Sequence, residues 1–130
     1  MFKEKFNELN IKNNITSCQK TQKFIKDTIN FGYNNKEDIL KDLFDEIEEL
    51  KEELDSNNID RIKEELGDVV FVLCNLANQY NLDLNESIEY SNKEFQRRFI
   101  YIEDKVGEKN IKNIKEKEIL ELWKEAKRNK

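Results

Sequence analysis

No proline occurs anywhere in the 130 residues, and glycine occurs only three times, at Gly32, Gly67 and Gly107. Sheet proteins reverse direction on clusters of turn residues that this chain lacks, whereas helix interiors exclude both residue types. The expected fold is all-α, a four- or five-helix bundle. A charged content of 39% suits helices whose outer faces are solvated. At 15.7 kDa the chain has the size of one domain, residues 1–130, with 1–13 as an N-terminal arm or short helix.

Hydrophobic spacing divides the chain into helices. Residues 14–31 carry Ile15, Cys18, Thr21, Gln22, Ile25 and Ile29 at helical intervals, with Gly32 as C-cap. Asn34-Asn35 opens a helix striped by Ile39, Leu43, Ile47, Leu50 and Leu54, and Asp55-Ser56-Asn57-Asn58 reads as a turn. The next helix, residues 59–80, is apolar around most of its circumference and is expected to be buried on several sides. One protomer struggles to cover such a helix, so self-association is expected. Asn81-Leu82-Asp83 ends it. A helix over 84–105 uses Ile88, Phe95, Phe99 and Ile102; Gly107 breaks it, and a last helix over 115–128 offers Ile119, Leu122 and Trp123. The longest apolar run, Val69 to Cys74, is too short for a membrane span, and Met1-Phe2-Lys3-Glu4 is no signal-peptide core. A cytosolic location without membrane partners is expected.

Histidine is absent. That excludes Ser-His-Asp and Cys-His catalysis, imidazole-ligated zinc and Glu-x-x-His di-iron sites. A metal must be held mainly by oxygen, which points to Mg²⁺ or Mn²⁺. Cys18 and Cys74 form no spacing motif and read as reduced, buried apolar residues.

The net charge of −5 conceals an asymmetry. Lys41 to Asp68 holds twelve acidic and four basic residues; Lys93 to Lys130 holds twelve basic and eight acidic. An acidic centre repels nucleic acid yet allows metal and polyanion to sit side by side. Within that centre, Glu46 and Glu49 are three residues apart, as are Glu65 and Asp68, so each pair shares a helix face. On a helical wheel with Ile62 at zero, Glu65 falls at about 300°, between Val72 and Leu76 at about 280° and 320°. A carboxylate inside an apolar arc costs several kcal/mol unless it meets a cation or is protonated. Asp68 and Asn75 extend a polar strip along the same helix. Gly67 costs about 1 kcal/mol against alanine, which close approach of another backbone or a ligand would explain.

The pattern Asp45-Glu46-x-x-Glu49 followed by Glu65-x-x-Asp68-Val69-Val70-Phe71 resembles the EExxE…ExxD signature of MazG-type nucleoside triphosphate pyrophosphohydrolases. The resemblance extends over residues 15–128. Gln19-Lys20-Thr21-Gln22-Lys23 is similar to the family's QKxQK segment, and Phe31-Gly32-Tyr33 to its glycine-aromatic turn. Asn75-Leu76-Ala77 resembles its NLA, Asn92 to Phe99 its NxKFxRRF segment, and Leu122-Trp123 its closing tryptophan helix. Two departures stand out: Asp45 replaces glutamate, and Lys93 stands one place early, leaving Glu94 where the family has lysine.

This resemblance implies an all-α, MazG-type bundle packed as a homodimer or homotetramer. It further implies Mg²⁺-dependent cleavage of nucleoside triphosphates between the α- and β-phosphates. Glu46, Glu49, Glu65 and Asp68 would hold the metal, Glu46 counting among the catalytic residues with Asp45 and Glu64, and Asp45 or Glu64 would orient or deprotonate the attacking water. Lys20, Lys23, Arg61, Lys93, Arg97 and Arg98 are the candidate phosphate ligands, Arg98 foremost from the RRF match. Asn75 and Trp123 are candidates for contacting sugar or base. The alternatives are a substrate-specific relative acting on dCTP, dUTP or phosphoribosyl-ATP, and a non-enzymatic helical module that binds a partner through its acidic face.

Overall fold

The computed structural model describes residues 2–12, 15–28, 35–107 and 110–130. Among them are six α-helices, α1 (Phe2–Ile11), α2 (Ser17–Lys26), α3 (Lys36–Ser56), α4 (Ile59–Gln79), α5 (Leu84–Val106) and α6 (Glu116–Arg128), one 3₁₀ turn at Ile111–Asn113, and no strand. The all-α expectation holds, and the N-terminal segment is a helix. The expected contribution of Ile29, the Gly32 cap and the Phe31-Gly32-Tyr33 turn fall outside the described residues.

Local chemistry fixes the helix ends. Thr16 and Gln19 form a reciprocal capping box at α2: Gln19 N donates to Thr16 Oγ1 at 3.1 Å, and Thr16 N to Gln19 Oε1 at 2.9 Å. Asn35 and Asn58 cap α3 and α4 by accepting from the backbone N–H groups of Asp38 and Arg61. Asn57 between them adopts φ 58°, a left-handed conformation that asparagine tolerates better than most residues. α3 therefore runs through Ser56, further than the turn expected over 55–58, and reverses on two asparagines into α4.

The chain divides into two compact units, Met1–Ser87 and Ile88–Lys130. In the first, α4 packs against α3 and α2, and α1 lies on α2 with Phe6 edge-on to Phe24 at 5.1 Å. Leu9, Ile25, Ile39, Val72, Cys74 and Ala77 form its core. Gln22 is buried too, with both amide hydrogens and its carbonyl oxygen engaged. It donates to Asn78 Oδ1 and to the Leu82 carbonyl, and accepts from Leu84 N, so α2 grips the turn into α5. The expectation that α4 is buried on several sides is met only in part. Leu66 and Val70 remain 52% and 42% exposed, because α2 and α3 leave that side of the helix open.

In the second unit, Ile102 and Ala126 are buried, and Tyr101 Oη donates to Glu125 Oε1 at 2.7 Å. Phe95 and Phe99, expected in the core, stay exposed, since thirteen residues of α6 cannot cover the length of α5. No helix among the described residues is long and apolar enough to cross a membrane.

Candidate metal and phosphate site

The α3–α4 hairpin brings the acidic pairs level with one another. Glu49 lies eight residues before Asn57 and Glu65 eight after it, so nearly equal helical rises place them side by side. By the same count Glu46 comes level with Asp68, and Glu53 with Arg61. The outcome is a cluster in which one carboxylate oxygen from each of Glu46, Glu49 and Glu65 lies within 4.8 Å of the others. Asp68 is exposed and stands outside this three-oxygen group, although its charge acts on both Glu46 and Glu65.

These carboxylates are electrostatically frustrated. Burial, followed by repulsion from Glu49, Asp68 and Asp42, pushes Glu46 up to about 7 from its ordinary 4.5. Glu65 is raised as well, by burial first and then by Glu49 and Asp68. The Oε2 atoms of both residues are buried with no hydrogen-bond partner. Two orphaned carboxylate oxygens among converging like charges fit a hard divalent cation, for which an all-oxygen donor set is right. The sequence had not singled out Asp42 or Glu53. Asp42, one turn before Glu46, is itself raised by burial and by Asp45 and Glu49. Glu53, one turn after Glu49, presses on Glu65 and pairs with Arg61 at 3.1 Å. Spacing of three and four residues along α3 is the signal that links all four acids.

The remaining candidates are dispersed. Asp45 and Glu64 are exposed on the same two helices. Arg61 is engaged by Glu53. Lys20 is half-buried on α2; Lys23 pairs with Asp27 at 3.5 Å and, with Gln19, Lys26 and Asp83, lines a cavity of about 250 Å³. Asn75 on α4 is buried, and its Oδ1 has no partner.

In the second unit, Lys93 is exposed, whereas Arg97 closes the end of α6 by donating to the carbonyls of Ala126 and Asn129 at 3.2 and 3.3 Å. Glu94, the residue standing where the family has lysine, forms ion pairs with Arg97 at 3.2 Å, Lys130 at 3.4 Å and Arg98 at 3.7 Å. That departure is therefore an anchor for two arginines. The Arg98 guanidinium lies 5.6 Å from the Trp123 ring centre, and its Nε is buried without a partner. Trp123 tilts against Phe95 at 5.4 Å and lines an apolar cleft of about 320 Å³ with Phe99, Ile102, Ile119 and Leu120.

The family model for the MazG nucleotide pyrophosphohydrolase domain matches residues 34–99, just over half of the chain and the stretch that contains the whole carboxylate cluster. The chain belongs to this family. A stretch of 68 residues, 51% of this MazG-type chain, is 35% identical to the uncharacterized protein YabN of Bacillus subtilis (strain 168), of which it spans 14%. Over 124 residues, 91% of its length, it is 25% identical to the nucleoside triphosphate pyrophosphohydrolases of Escherichia coli K12 and O157:H7, of which it spans 47%. The chain thus covers less than half the length of each of these relatives.

Proposed function

We propose that this chain is a Mg²⁺-dependent nucleoside triphosphate pyrophosphohydrolase, converting NTP or dNTP to the monophosphate and pyrophosphate in the cytosol. The observation that carries the reading is the cluster of Glu46, Glu49 and Glu65, with two orphaned buried oxygens, inside the family-matched hairpin. The name of the Escherichia coli relatives, which align along 91% of this chain, points to the same substrate class.

Glu46, Glu49 and Glu65, joined by Asp68, would hold the cation. Mg²⁺, or Mn²⁺ in its place, would neutralise phosphate charge and make water more acidic. Asp45 or Glu64, exposed beside the cluster, orients the water that attacks the α-phosphorus and takes its proton. The bond from that phosphorus to the bridging oxygen of the β-phosphate breaks, and pyrophosphate leaves. Arg98, held by Glu94 but with Nε free, is the leading triphosphate ligand, followed by Lys93, Lys20 and Lys23. Arg97 and Arg61 are committed to structural partners and contribute less. Asn75 and Trp123 contact the nucleoside.

Residues 1–130 act as one MazG-like domain, since the family match runs across the division at Ser87–Ile88. The working form is a homodimer or homotetramer. Leu40, Phe44, Ile47 and Leu54 on α3 and Ile59, Leu66 and Val70 on α4 are exposed along one hairpin, an apolar surface of a kind that marks interfaces.

Product analysis over a panel of NTPs and dNTPs, with Mg²⁺ and with EDTA, tests the reading. Monophosphate and pyrophosphate formed only with metal are the expected products. Orthophosphate as product, or turnover that persists in EDTA, refutes it.

A further inference from the structure

Cys18 on α2 and Cys74 on α4 stand 56 positions apart, yet the packing of α2 on α4 brings them into contact. Cys74 Sγ lies 3.9 Å from the carbonyl oxygen of Cys18. Both are free. Contact between one thiol and the main chain of the other cysteine makes the pair a candidate for a cross-link between α2 and α4.

Their access to solvent differs. Cys74 is 1% exposed, and burial, together with its neighbour Cys18, pushes its thiol up to about 12, so it stays protonated. Cys18 is half-buried and lines a cavity of about 350 Å³ with Thr21, Leu66, Gly67 and Phe71. Gly67 helps to keep that cavity open, since a Cβ built there meets nothing within 4 Å. On a single chain a small solute can therefore enter beside Cys18, with Cys74 sheltered behind it; Leu66 and Val70, on the rim of the same cavity, belong to the surface a second copy would cover, so the dissociated chain is the form open to oxidation.

We propose that Cys18 and Cys74 form a two-thiol oxidation site, in which a hydroperoxide oxidises Cys18 and Cys74 resolves it into a disulfide between α2 and α4. The Cys18 sulfur attacks the peroxide; the O–O bond breaks, an S–O bond forms, and one water or alcohol leaves with the thiol's proton. Cys74 sulfur then displaces the hydroxyl from Cys18 sulfur. The S–S bond forms, the S–O bond breaks, and the Cys74 proton departs with the hydroxyl as water. Two thiols are oxidised by two electrons and one peroxide is reduced. The resulting bond ties α2 to the helix that carries Glu65 and Asp68. The inference stands apart from the nucleotide reading and is tested without an activity assay.

The full chain, reduced and then titrated with hydrogen peroxide, is alkylated and weighed intact, and a non-reducing peptide map locates any cross-link. The expected result is loss of two hydrogens together with both alkylation sites, a peptide joining Cys18 to Cys74, and full reversal by dithiothreitol. The oxidised form melts higher by about 5 °C, as a long closed loop should. In Cys74→Ser, dimedone captures a sulfenic acid on Cys18; in Cys18→Ser, Cys74 remains reduced. Retention of both alkylatable thiols in the wild-type chain overturns the proposal. So does oxidation of Cys18 to the sulfinic acid without cross-linking, or a disulfide that joins two chains.

Discussion

Glu46 and Glu65 each bury a carboxylate oxygen that accepts nothing, in a cluster that gathers like charge. Replacing Glu65 by glutamine therefore has opposite effects on stability and activity. Without metal, Glu65→Gln melts a few degrees higher than wild type in EDTA, because a repelled charge is gone. With Mg²⁺, nucleotide turnover falls by about 100-fold or more, because a ligand is gone. Paired melting curves and initial rates check both halves. The raised Glu46 gives a pH dependence of definite sign. Between its ordinary 4.5 and about 7 the folded chain holds a proton that the unfolded chain has released, so metal-free stability declines as pH rises through that window. Glu94 works in a different range. Despite its burial, hydrogen bonds from Arg97 and Lys130 hold it low, so its contribution is lost only as pH falls below the usual carboxylate range. Melting in EDTA from about pH 5 to pH 8 should show the decline, and saturating Mg²⁺ should abolish most of it by holding Glu46 ionised.

At the scale of elements, two substitutions separate structural from functional readings. Gly67 sits inside α4 with open space around it in this chain. Gly67→Ala should stabilise the protein by about 1 kcal/mol through helix propensity, a rise in melting temperature of about 3 °C. A loss of stability in that variant would mean that a second chain occupies the space. Arg97 ties α5 to the end of α6 through two carbonyls. Arg97→Ala should cost about 2 kcal/mol, since hydrogen bonds from a charged donor are lost, and should leave KM for nucleotide nearly unchanged. Arg98→Ala should raise KM by about 10-fold or more with little change in melting temperature. Chemical denaturation and steady-state kinetics on the two variants distinguish these roles. Most helices were legible beforehand to within a few residues from their hydrophobic spacing; α2 is shorter than the 14–31 that spacing suggests, because the Thr16–Gln19 capping box starts it at Ser17 and it ends at Lys26. The roles of Arg97 and Arg98 were not legible. Adjacent on α5, they differ only in what their guanidinium groups meet.

For the whole molecule, the exposed stripe from Leu40 to Val70 on the α3–α4 hairpin sets the expectation of self-association. Sedimentation at micromolar concentration should give a dimer or tetramer whose melting temperature rises with concentration. Phe44→Lys combined with Leu66→Lys should yield monomer, since each places a charge in the apolar surface. A wild-type monomer at that concentration would contradict the expectation.

Sequence alone was enough to show that the chain is helical, roughly where most of its helices lie, and which four acids share helix faces. Each of these follows from interactions among residues within about one turn of one another, and so survives without knowledge of the fold. The metal-site reading was also within reach, because a carboxylate in an apolar arc of α4 is costly wherever that helix packs. The rest came from how the helices pack. Packing set Glu49 level with Glu65 across a two-residue reversal, left Asp68 outside the oxygen cluster, and added Asp42 and Glu53 to its electrostatics. It turned Glu94, an apparent departure, into the partner of two arginines. And it brought together two cysteines 56 positions apart. Distances of this kind depend on how helix faces meet, which hydrophobic spacing along one helix does not encode.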